Sequence, residues 1–154
     1  MASEASSKNI RLAAHPTHRE AKTVEVAIPV DCDLDIISAR KKGRELAAQL
    51  GFSPSDLTLI ATAISELARN ILLYAKRGQI ILRLITAGSV RGLAITACDK
   101  GPGISDVRRA LQDGYSTSRS LGLGLPGVRR LMDDFEIESV VNGGTTVTVK
   151  KWKK

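Results

Sequence analysis

Aromatic side chains are scarce, at only 3% of the 154 residues. Binding single-stranded nucleic acid usually needs several aromatic platforms for base stacking, and this chain cannot supply them. Its formal charge of +7 therefore points to another anionic partner, such as a nucleotide or an acidic protein. Cysteine is also sparse. Cys32 and Cys98 lie far apart, cannot form a metal site alone, and read as free thiols of a reducing compartment. Both histidines, His15 and His18, fall near the N-terminus, so the rest of the chain has none. No run of about twenty apolar residues suggests a membrane span, and the first residues lack the apolar stretch of a secretory signal. The expected location is the cytoplasm, with neither membrane nor nucleic acid as partner.

What remains is ordinary globular composition, 43% hydrophobic and 25% charged, enough for one domain with a real core. The reading divides it into a polar, unpatterned arm over residues 1–22, expected to be mobile, and a folded body over 23–154. The body begins with an alternating strand, Thr23 to Ile28, expected to stop at Pro29. A helix is expected from about Leu34 to Leu50, with Asp31 or Asp33 near its start and Gly51 just beyond it.

The chain is organised around the next helix, Ser53 to Tyr74. Ser53 suits the N-cap and Pro54 the first helical position. Leu57, Ile60, Ala61, Ile64, Leu67, Ala68 and Ile71 recur at three- and four-residue spacing and form an apolar stripe. Glu66 and Asn70 sit one turn apart on the opposite side, among Leu59, Ala63 and Leu73. A carboxylate and an amide on a largely apolar face need partners, because burying them without hydrogen bonds is costly. They read either as a ligand-holding pair or as a helix surface that happens to carry two polar residues.

Strands follow at Gln79 to Ile85 and Gly92 to Ala97, with a turn around Gly88-Ser89. The second runs into Asp99-Lys-Gly101-Pro-Gly103. A short helix over Ser105 to Gln112 and a mobile loop over Gly114 to Leu121 come next. Gly122-Leu123-Gly124-Leu then opens a helix reaching about Asp133. Phe135 to Val141 and Thr145 to Trp152 are strands joined at Asn142-Gly143-Gly144. The expected architecture is an α+β two-layer sandwich, a mostly antiparallel sheet covered by helices.

The glycine segments suit a nucleotide. Glycines let the backbone turn sharply, an aspartate at a strand end can accept from an exocyclic amine, and N–H groups at a helix start can receive an anion. The pattern is not a dinucleotide fingerprint, because Gly122 does not follow a strand in a βαβ unit, and no Gly-Lys-Ser/Thr of a P-loop exists.

The order of these elements resembles the GHKL ATPases, a superfamily that includes gyrase, histidine kinases and MutL and shares the Bergerat-type fold. Glu66-Leu-Ala-Arg-Asn70 looks like its N-box, Asp99-Lys-Gly101-Pro-Gly103 its first glycine box and Gly122-Leu123-Gly124-Leu its second. Gly144-Thr145 looks like its terminal Gly-Thr element. Within the superfamily, the short lid and the text Ser118 to Asp133 resemble the anti-sigma-factor serine/threonine kinases, nearest the stressosome switch kinases.

That resemblance implies ATP and Mg²⁺ as cofactors, with Asn70 a magnesium ligand and Asp99 reading the adenine amine. Gly101, Gly103, Gly122, Leu123 and Gly124 would shape the pocket, Thr145 would support the base side, and Arg119 would touch phosphate from a lid over Ser105 to Leu121. Glu66 would be the general base for a serine or threonine hydroxyl. A histidine-autophosphorylating enzyme is excluded, since its acceptor histidine would belong on a dimerisation helix. The implied partners are STAS-domain scaffold and antagonist proteins, then a downstream output enzyme or phosphatase. The alternative is a non-catalytic, ATP-dependent clamp on a sigma factor or other partner.

Overall fold

The computed structural model describes residues 9–11, 25–112 and 124–154. Among them the elements run β1 (Asn9–Arg11), β2 (Glu25–Val30), α1 (Asp33–Leu50), α2 (Pro54–Tyr74), β3 (Gly78–Ala87), β4 (Val90–Asp99), α3 (Val107–Ala110), α4 (Gly124–Leu131), β5 (Asp134–Val140) and β6 (Gly144–Trp152). The strands form one six-stranded sheet in the order β1-β5-β6-β4-β3-β2. Every neighbouring pair is antiparallel except β1 with β5. The α+β sandwich expected from the sequence is the fold observed.

Alternation along the strands decides which face is buried. Ile80 and Leu82 of β3, Leu93, Ile95 and Ala97 of β4, Ile137 of β5, and Val147 and Val149 of β6 join one core with the helices. The expected stripe of α2 packs there, with Ile60, Ile64, Leu67 and Ile71 almost fully excluded from solvent. On α1, Ile36, Ala39, Gly43, Leu46, Ala47 and Leu50 are buried, as their spacing predicts. Gly43 permits the close approach of the two helices, because a Cβ there would stand 2.1 Å from Ile64 Cδ1.

The helix ends follow local chemistry. Ser53 Oγ accepts from the Asp56 backbone N–H, and Gly51 closes α1 at φ 88°, a left-handed conformation that glycine adopts without strain. At the start of α1 neither Asp31 nor Asp33 is the cap. Cys32 holds that position, and Asp35 Oδ2 accepts from the backbone N–H groups of Asp31 and Cys32.

Two expectations are corrected. The first body strand continues through Pro29, which pairs with Gln79. Because β2 is an edge strand, a missing outward N–H costs the sheet nothing. The arm is not wholly without structure, since Asn9–Arg11 adds a parallel strand to the β5 edge. The second face of α2, expected to be largely apolar, is buried at Ala63, Ser65 and Glu66 together with the stripe, because neighbouring helices close around the middle of α2. Among the described residues α2 alone is long and apolar enough to cross a membrane, and here it is the core helix of the sandwich.

Candidate functional site

Asp99 is the last residue of β4, between Gly78 of β3 and Thr145 of β6 in the sheet register. Its Oδ1 accepts from the backbone N–H of Gly101 at 2.8 Å and of Thr145 at 3.3 Å. Two donors fix the carboxylate through one oxygen. Among the described residues Oδ2 has no partner, so it is the oxygen available to a ligand donor such as an exocyclic amine.

The glycines around Asp99 serve close packing of the protein against itself. A Cβ at Gly101 would stand 2.6 Å from Ala75 Cβ, one at Gly103 2.2 Å from the Val140 carbonyl oxygen, and one at Gly144 2.1 Å from the Asp99 carbonyl oxygen. The segment after β4 therefore lies tightly between the end of α2 and the β5–β6 turn. Ser139 secures it: its Oγ accepts from Ile104 N at 2.7 Å and lies 2.8 Å from Thr145 Oγ1. Asn142 N adds a bond to the Pro102 carbonyl. Sequence reasoning missed Ser139, and only the pairing of Ser139 with Thr145 across β5 and β6 reveals it. Thr145 supports Asp99 through its backbone N–H, while its hydroxyl is engaged with Ser139.

Glu66 lies on α2 with 6% of its surface exposed. Burial of a carboxylate demands compensation, and it has two bonds. Arg69 Nη1 donates to Oε2 at 2.7 Å, and the backbone N–H of Gly124 donates to Oε1 at 3.3 Å. The second bond ties the N-box helix to the first residue of α4. Gly124 has φ 64°, and among the described residues a Cβ there would make an ordinary contact with Pro126 Cδ at 3.6 Å, whereas one at Gly101 or Gly103 would collide. Asn70 is half-buried, one turn beyond Glu66.

Arg69 is the second residue that sequence reasoning missed. It also lines a groove of about 390 Å³ between α1 and α2, with Arg40, Arg44, Thr58, Ala61, Thr62, Ser65 and Glu66. Arg119, Gly122 and Leu123 lie outside the described residues.

The donors suit Mg-ATP as far as they are described. No cluster of three metal-ligating His, Cys, Asp or Glu occurs among the described residues. A single amide oxygen such as that of Asn70 fits a magnesium ion, which retains waters and takes other ligands from phosphates.

Comparison with known proteins shows the family and the fold. Residues 28–151 match the model of the histidine kinase-like ATPase domain. The chain is 52% identical over 118 residues to the serine/threonine-protein kinase RsbT of Bacillus subtilis, covering 77% of this chain and 89% of that one. It is 31% identical to the anti-sigma F factor of Caldanaerobacter subterraneus, covering 74% and 82% respectively. Among solved structures, the RsbU and RsbW domains of a Mycobacterium tuberculosis protein share the fold with a TM-score of 0.58 at 20% identity, covering 87% of this chain and 33% of that one.

Proposed function

Because the chain belongs to the histidine kinase-like ATPase family, we propose that it is a serine/threonine protein kinase of the partner-switching kind. Asp99 supplies the observation that carries this reading. Its carboxylate is oriented through one oxygen by Gly101 and Thr145, leaving the other as an acceptor for the adenine amine. The chain's anti-sigma relatives fit the same kind of signalling.

In this reading Asp99 selects adenine, while Gly101, Gly103, Gly122 and Gly124 shape the nucleotide pocket. Asn70 contributes to holding Mg²⁺, which when bound neutralises phosphate charge. The acceptor hydroxyl forms a new bond to the γ-phosphorus, the bond to the bridging oxygen breaks, and ADP leaves. Glu66 accepts the hydroxyl proton as this occurs. Most of the acceleration comes from positioning and from charge stabilisation, with proton transfer a smaller part.

The proposed acceptors are serine or threonine residues of STAS-domain scaffold and antagonist proteins in the cytoplasm. Once released, the kinase binds and activates a downstream output enzyme or phosphatase. The test is transfer of labelled γ-phosphate from Mg-ATP to a purified STAS-domain partner from the same cell, with Asp99→Asn alongside. Label on partner serine or threonine, absent with the variant, supports the kinase. ATP binding without label on any such partner shifts the function to a nucleotide-dependent clamp.

A further inference from the structure

The bond between Glu66 and Arg69 raises a chemical difficulty for the kinase reading, on which this inference rests. A general base needs a lone pair facing the acceptor hydroxyl. Each oxygen of Glu66 already accepts one hydrogen bond, and that from Arg69, at 2.7 Å, is shorter than that from Gly124, at 3.3 Å. The Arg69 guanidinium therefore stands beside Oε2, where an acceptor hydroxyl would have to approach. Arg69, however, is not buried with it: its side chain is 41% exposed, against 8% for that of Glu66.

The exposed part of Arg69 lines the α1–α2 groove, whose lining includes two more cations, Arg40 and Arg44. Among the described residues neither has an acidic partner, and Glu66 is the only acid lining the groove. The groove hydroxyls do not offset this charge. Thr58, Thr62 and Ser65 each donate to a carbonyl one turn back in α2. A groove lined by three arginines and one already paired carboxylate is complementary to an acidic segment.

We propose that Arg69 is a latch on Glu66, opened when a carboxylate of the acceptor protein enters the α1–α2 groove. A guanidinium has five N–H donors in a planar fork and binds a carboxylate bidentately. The incoming acid draws Arg69 towards the groove, and the acceptor hydroxyl carried by the same segment donates to the freed Oε2. The buried carboxylate thus exchanges one hydrogen bond for another and is not left bare. Water brings no carboxylate and leaves the latch closed, so the site favours a protein hydroxyl over hydrolysis. Arg69 is a positioning residue, acting on the reaction only through Glu66.

The test uses the full chain with Arg69→Ala and Arg69→Met, the latter keeping an apolar stem and removing the charge. Partner-free hydrolysis of saturating Mg-ATP is measured together with Mg-ADP affinity. Both variants should hydrolyse ATP faster than the natural chain, by about fivefold or more, the effect of losing an ion pair worth about 1 kcal/mol. Arg69→Lys should restore slow hydrolysis, and adding Glu66→Gln to Arg69→Ala should abolish the gain. A merely structural role for Arg69 predicts lower turnover instead. Unchanged or slower hydrolysis in both variants, with nucleotide affinity intact, overturns the latch. If the natural chain binds Mg-ATP but neither hydrolyses nor transfers phosphate, the kinase reading itself fails, and the latch with it.

Discussion

With Oδ1 of Asp99 held by the N–H groups of Gly101 and Thr145, an Asp99→Asn variant would keep its carbonyl oxygen in that position. Its new amide group would then meet the adenine amine donor to donor. ATP affinity should fall by about two orders of magnitude, as when a recognition hydrogen bond is lost and a donor is left facing a donor. Calorimetric titration with Mg-ATP measures this, and an unchanged heat profile would remove Asp99 from adenine recognition. The two cysteines are separated by a similar local argument. Cys32 is exposed, whereas burial pushes the half-buried Cys98 thiol up, the Asp99 charge adds to the rise, and a bond with Thr146 opposes it. Cys98 therefore stays a thiol at neutral pH, and iodoacetamide should modify Cys32 first, read by mass spectrometry of the peptides. The linkage has a definite sign. A thiol raised on folding contributes stability that is complete below its unfolded value, about 8.5, and is lost as pH rises through the folded one.

At the scale of elements, the site gathers the end of β4, the start of β6, the second half of α2 and the start of α4. Their convergence depends on close backbone approach at a few glycines. Gly144 has φ 96°, and a Cβ there would collide with the Asp99 carbonyl. Gly144→Ala should therefore cost about 2–4 kcal/mol, the sum of left-handed strain and overpacking, and lower the midpoint of urea unfolding. A midpoint equal to that of the natural chain would show that β6 shifts freely. Here the limits of sequence reading become physical. The stripe of α2, the Ser53 cap and the inner face of α1 were legible because each depends on spacing within one helix. The partners of Glu66 were not, although its apolar surroundings already asked for them, because one of them, Gly124, comes from α4 far along the chain. Pro29 misled for a related reason: a proline interrupts a central strand but not an edge, and edge position belongs to the assembled sheet. Ser139 lay in no motif and Arg69 sat unremarked inside the Glu66–Asn70 motif, so their roles emerge only from cross-strand pairing and one turn of helix.

At the scale of the whole molecule, the expected boundary lies between residues 1–22 and the body over 23–154. The family match begins at residue 28, and of the arm only Asn9–Arg11 is described, as a three-residue strand beside β5. Removing residues 1–22 should leave Mg-ATP affinity unchanged and the thermal midpoint nearly so. It should also increase self-association, because β5 would become an exposed edge with unpaired N–H and C=O groups. Light scattering across a concentration series would detect this, and a strictly monodisperse truncated chain would show that β1 covers nothing of consequence. The order of Glu66, Asn70, Asp99 and the glycines made the family legible from the sequence alone. The direction in which those residues face required the fold.

Glu66 is proposed to take the acceptor's proton beside a nucleotide held by Asp99. Single-turnover transfer from labelled Mg-ATP to a STAS-domain partner, comparing the natural chain with Glu66→Gln at matched nucleotide occupancy, tests it most directly. The account predicts a fall in the transfer rate of about 10²-fold or more, the usual contribution of a positioned base, with Mg-ATP affinity nearly unchanged. Transfer at the natural rate by Glu66→Gln would contradict it and leave Glu66 as a buried structural carboxylate.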